Sequence, residues 1–128
     1  MNTTLKALAA LTLLGASSLA MAADLDDNMD IIAGNYKTAL QTDSVDTFKQ
    51  SLQNMRAAAQ DAQKATPPKL ENKTPDGPEM KDFHHGLDTL IGQIDGALVV
   101  ANQGKLAQAQ MLAQDFKTTR ETYHKKFR

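Results

Sequence analysis

The stretch "ATPPKLENKTPDGP", residues 65–78, holds all four prolines of the 128-residue chain. Proline lacks an amide hydrogen and fixes φ, so a helix accepts it in the first turn and not in the interior. The stretch therefore divides the chain into two helical halves. It predicts a semi-ordered loop of about a dozen residues, with Pro78 at or near the first turn of the helix that follows. On its N-terminal side, apolar residues recur every three or four positions in two runs. These are Leu25, Met29, Ile32, Tyr36, Leu40, and then Val45, Phe48, Leu52, Met55, Ala59, Ala62. On its C-terminal side come Phe83, Leu87, Leu90, Ile94, Leu98, Ala101, and then Ala109, Leu112, Phe116, Tyr123, Phe127. That period is helical, and no window alternates as a strand would. Within each half the connection is short. "QTDS" (41–44) offers cap-forming Thr42, Asp43 and Ser44, and "NQGK" (102–105) offers Gly104 as a C-terminal cap. Short connections make antiparallel neighbours. The prediction is an all-α, antiparallel up-down-up-down four-helix bundle over residues 23–128.

Residues 1–22 read differently. "MNTTLK" carries one basic side chain, "ALAALTLLGASSLA" is a short apolar run, and "AMA" places small residues where a signal peptidase cleaves. The run is too short, and too rich in Ala and Ser, for a membrane span. A cleaved secretory signal is expected, with export to a bacterial periplasm and no membrane insertion of the mature chain.

Composition narrows the function. Fourteen basic residues stand against 15 acidic ones, a formal net charge of −1, which gives no footing for nucleic acid or an anionic membrane. With no cysteine, there can be no disulfide, thiolate ligand, nucleophilic thiol or thioether-linked haem. Trp is absent and only two Tyr and four Phe are present. No nucleophile–base pair, carboxylate dyad or phosphate loop stands out, so an enzyme is not expected. No large apolar outer face calls for a second subunit, and a monomer is expected.

In an up-down bundle the first helix begins, and the fourth ends, at the same end of the molecule. Met29, His124, the Pro67–Pro68 loop and Phe83 therefore converge there. Read singly, Met29 on an apolar stripe is a core residue, and His124 near a helix C-terminus suits the helix dipole. Asp24, Asp26 and Asp27 suit a helix start for the opposite reason. Read together, a thioether and an imidazole arriving from two helices match the axial ligand set of a haem iron. Ile32, Tyr36, Met55, Phe83 and Leu87 are then available as apolar walls, and Arg120 and Arg128 lie one turn either side of His124 as partners for propionates. Spacing alone leaves both readings open.

The residues themselves add a resemblance. "ADLDDNMD", "MRAAAQDAQKATPPKLENKTPDGPEMKDF", "HGLDTLIGQID" and "KTTRETYHKKFR" resemble the cytochrome b562 family over essentially the whole chain from residue 23. The resemblance implies a four-helix bundle with one noncovalent b-type haem (iron protoporphyrin IX). Met29 and His124 would be its axial ligands, and its activity would be periplasmic electron transfer with redox partner proteins. Two protein ligands leave no open coordination position, which again argues against an enzyme. Two positions depart from the family pattern. Leu87 stands where a second pocket phenylalanine is expected, and Tyr36 where an aliphatic residue is expected.

Two features remain. His84 and His85 point about 100° apart on a helix, a poor chelating pair, although either would lie near the same end as Met29. Gly92 and Gly96 have small-xxx-small spacing, which in a bundle permits close helix approach. The alternative to a cytochrome is a haem-free periplasmic helical binding or stress protein that keeps the bundle. A copper or zinc site built from histidines lacks paired ligand spacing.

Overall fold

Each helix start is set by local chemistry. In the computed structural model, which describes residues 24–127, the Asp24 carboxylate accepts a hydrogen bond from the Asp27 amide at 2.8 Å, and α1 runs Leu25–Gln41. The Ser44 hydroxyl accepts from the Thr47 amide at 3.2 Å and opens α2, Val45–Ala62. These side-chain acceptors satisfy amides that the first helical turn leaves unpaired. Pro78 is the first residue of α3, Pro78–Asn102. Gly104, at φ +78°, turns the chain into α4, Leu106–Ala113, and α5, Asp115–Phe127. No strand occurs among the described residues, and the fold is an all-α four-helix bundle whose fourth arm is α4 plus α5. No helix among the described residues is long and apolar enough to cross a membrane. The leader assignment to residues 1–22 lies outside the described residues.

The break in the fourth arm falls at Gln114. There the amide bonds shorten to a three-residue span, Gln114 to the Met111 carbonyl at 3.2 Å and Lys117 to the Gln114 carbonyl at 3.3 Å. One expectation changes with it. Leu112, placed on the apolar stripe by periodicity, is 41% exposed, while Ala109, Ala113 and Phe116 are buried. The physical cause is Gln110. Its side-chain amide donates to the Ala39 carbonyl at 3.0 Å and the Thr42 carbonyl at 2.9 Å, tying α4 to the C-terminus of α1. With Gln110 facing α1, Leu112 lies about 200° away around the helix and faces out.

The proline loop is more ordered than its composition suggests. A short 3-10 turn, Pro68–Leu70, is closed by the Leu70 amide on the Pro67 carbonyl at 2.8 Å. Pro67 and Leu70 are buried, and the turn packs on α5. The core itself centres on Ile32, Phe48, Leu52, Met55, Ile94 and Phe116, all fully buried. Polar ties cross between arms. Asn28 donates to Asp61 at 2.9 Å from α1 to α2, and Arg56 grips Asp95 with two bonds (2.7 and 3.3 Å) from α2 to α3. Consecutive arms pack closely, but α1 and α5 are not among the tightly packed pairs.

Gln110→Ala leaves two half-buried carbonyls without their donor. It is expected to lower stability by about 1 kcal/mol, or about 4–8 °C in melting temperature for a domain of this size. Met111→Ala, on the exposed side of the same helix, should change it by no more than about 0.5 kcal/mol. Thermal unfolding by circular dichroism reads both.

Candidate functional site

A cleft of about 260 Å³ opens between α1, α3 and α5 at one end of the bundle, beyond the Tyr36–Phe116 ring contact that joins α1 to α5. Its walls follow helical spacing. α1 supplies Leu25, Asp26, Met29 and Ile32; α3 supplies Phe83, Gly86, Leu87 and Leu90; α5 supplies Thr119, Arg120, Tyr123, His124 and Phe127. Pro68 from the loop completes it. The volume is close to the lower end of the roughly 300–1,000 Å³ typical of small-molecule sites. The α3 wall carries no polar side chain, and the polar groups enter from α1 and α5. Met29 is half-buried and His124 is exposed, so the imidazole belongs to the mouth and the thioether lies deeper.

The end of α5 is braced against the start of α3. Phe127 meets Phe83 edge-on, with ring centroids 5.5 Å apart at 84°. Tyr123 stacks near-parallel on Phe127 at 6.2 Å and 13°. Lys126 binds Asp82 at 2.6 Å, and its ammonium lies 5.4 Å from the Tyr123 ring centroid. The hydrogen bond to Asp82 holds the Lys126 pKa above its ordinary value.

Of the residues anticipated from sequence, Met29, Ile32, Pro68, Phe83, Leu87, Arg120 and His124 line this one cleft. Met55 and Pro67 are fully buried and do not line it. Tyr36 lies outside the lining as well. It is half-buried, with its ring 6.2 Å from that of Phe116. Burial pushes its phenol pKa up; Arg120 pulls it down, and Glu121 and Asp115 push it up. Arg128 lies outside the described residues. Neither His84 nor His85 is in the lining: His84 donates through Nε2 to the Gln63 carbonyl at 3.0 Å, capping the end of α2, and His85 faces solvent. No cluster of three or more His, Cys, Asp or Glu fit for a metal ion occurs among the described residues.

Sequence reasoning did not single out Gly86, Tyr123 and Phe127 for the cleft. Tyr123 and Phe127 are one turn apart beside His124, a signal for a shared face. Gly86 is a lone small residue between Phe83 and Leu87, a signal for close helix approach.

Fold and cleft together define a class: a four-helix bundle with an apolar end cleft that presents one thioether and one imidazole from different arms. The family model for cytochrome b562 matches residues 24–128. A "Probable soluble cytochrome b562 2" of Yersinia pestis is 58% identical over 128 residues, the whole of both chains. A "Probable soluble cytochrome b562 1" of the same organism is 40% identical over 112 residues, 88% of each chain. The chain belongs to the cytochrome b562 family.

The raised Tyr36 pKa makes stability depend on alkaline pH. The unfolded chain ionises this phenol near its ordinary value of 10.0, whereas the folded chain keeps it neutral to higher pH. The contribution is therefore intact below that value and is lost as pH rises through the folded pKa. Tyr36→Phe should lose less stability than wild type between neutral pH and pH values above 10.0, as read by urea midpoints across that range.

Proposed function

We propose that this chain is a periplasmic electron-transfer protein that holds one noncovalent b-type haem in the end cleft, with Met29 and His124 as axial ligands. The observation that carries the reading is that these two side chains, from α1 and α5, line the same cleft. The donor set fits the group: a soft thioether and an imidazole are the pair that binds haem iron and raises its potential. The walls fit as well, since Ile32, Phe83, Leu87 and Leu90 are buried apolar side chains suited to a flat apolar macrocycle.

When bound, haem supplies a one-electron ferric–ferrous couple. The chain's own residues do the rest. Phe83, Leu87 and Leu90 exclude water from the α3 wall. Arg120, half-buried at the cleft, offers a guanidinium for carboxylates. The Phe83–Phe127–Tyr123 brace holds the α5 wall in place, so that little needs to move when charge changes, which favours rapid electron exchange. Two protein ligands leave no position for substrate, and the role is that of a carrier, not an enzyme. The partners are redox proteins that approach the open mouth.

The test is an absorption spectrum of the mature protein, air-oxidised and then dithionite-reduced. Sharp reduced α and β bands are expected, with a weak long-wavelength ferric band that disappears in Met29→Ala. His124→Ala should weaken haem binding more than Met29→Ala, since imidazole is the stronger ligand. Its loss should exceed the roughly 10–100-fold that removal of a supporting contact costs. Absence of a Soret band after haem addition would overturn the proposal in favour of a haem-free bundle. A second variant separates the two departures from the family pattern. Leu87→Phe should shift the reduction potential, because Leu87 lines the cleft, and Tyr36→Leu should shift it less, because Tyr36 does not.

A further inference from the structure

We infer that Gly86 is a positioning residue for the cleft's imidazole: its missing side chain seats the Tyr123 ring on α3, and that seat sets the rotation of α5 at which His124 meets the cleft. The inference rests on the haem reading above and deepens it.

The geometry is local and specific. A Cβ on Gly86 would overlap Cγ, Cδ1 and Cε1 of Tyr123. The other glycines inside the described helices, Gly34, Gly92 and Gly96, have nothing within 4 Å of the equivalent position. Helix-interior glycine is a poor choice on propensity alone, so at Gly86 the space has a use that it lacks at the other three. The neighbouring anchors all join the same short segments. Asp82, Phe83 and Gly86 on α3 receive Lys126, Phe127 and Tyr123 of α5 through an ion pair, an edge-on ring pair and the glycine seat.

These anchors fix one face of α5. His124 follows Tyr123 directly and so points about 100° round the helix from it. A face locked at residues 123 and 127 therefore dictates where residue 124 points. Displacing the ring from Gly86 moves the whole α5 end, and the imidazole moves with it. Gly86 thus acts through Tyr123 and touches no ligand itself.

The experiment uses the full chain, with haem titrated into the haem-free protein. It compares wild type, Gly86→Ala, Gly86→Ala/Tyr123→Ala and Gly92→Ala. Three readouts are taken: haem dissociation constant, reduction potential with the visible spectrum, and melting temperature before haem is added. Gly86→Ala is expected to weaken haem binding by about tenfold or more, as outer-shell changes at metal sites do. It should also shift the potential and reduce the low-spin bands. The double variant, which removes the overlapping ring, should bind haem more tightly than Gly86→Ala alone. Gly92→Ala should keep wild-type affinity and spectrum and melt no lower, because alanine favours the helix.

Wild-type affinity and spectrum in Gly86→Ala would overturn the inference. So would a weaker affinity with an unchanged spectrum and no recovery in the double variant, the pattern of a merely structural contact. Should Gly86→Ala fail to fold, the same contact is tested from its other side. Tyr123→Phe, which keeps the ring, should shift the potential less than Tyr123→Ala, which removes it; equal potentials in the two would overturn the inference. Failure of the wild type to take up haem would remove the underlying reading and this inference together, whereas wild-type uptake with an unaffected Gly86→Ala removes this inference alone.

Discussion

How closely α5 approaches α3 shapes the cleft end of the molecule. The approach is close because one position, Gly86, carries no side chain where the Tyr123 ring lies. Phe127 against Phe83 and Lys126 against Asp82 extend the same contact by a turn. On its other side α5 meets α1 through Phe116 and Tyr36 at its first turn, and beyond that contact α1 is held elsewhere. The Asn28–Asp61 bond draws α1 to α2, and Gln110 ties its far end to α4. A helix pulled to one neighbour and an opposite helix pulled to another leave a gap between them. The cleft is that gap, so its existence follows from which contacts are short and does not depend on any missing residue.

The break at Gln114 fits this arrangement. Above it, α4 is oriented by Gln110 and the small residues Ala109 and Ala113 face inward. Below it, α5 is oriented by rings on α3. Two orientation demands on one arm need not share a helical phase, and the three-residue bonds at Gln114 absorb the difference. A continuous helix would have to compromise one set of contacts. The break also divides the fourth arm functionally: everything that it gives to the cleft comes from α5, while α4 serves the opposite end.

Much of this was legible in the sequence, for identifiable reasons. Periodicity located the arms because burial on one face imposes a three-to-four repeat. Ser44, Pro78 and Gly104 marked boundaries because each answers a backbone requirement that no neighbour meets. Connectivity then brought Met29 and His124 to one end without any local signal linking them. What sequence did not convey is rotation about each helix axis. Leu112 and Ala113 are adjacent, and the phase that turns the alanine in is the one in which Gln110 reaches the Ala39 and Thr42 carbonyls. Met55 and Tyr36 failed to reach the cleft for a similar reason. A stripe fixes which face is buried, but whether a residue on it meets core or cleft depends on depth along the axis and on which arm lies opposite. Gly86 went unremarked because a glycine's role is defined by what enters its space.

Placing Met29 near the start of α1 and His124 near the end of α5 has a physical consequence of its own. Helix ends open more readily than the middle, and here the contacts of Tyr123, Lys126 and Phe127 with α3 hold the end that carries His124. The two donors come from the first and last arms, so no partial structure lacking either arm brings them together. On the proposed reading, a ligand gripped by both joins α1 to the far part of α5. Because such a ligand binds only the assembled state, it stabilises that state by mass action, and the gain is concentrated at the cleft end.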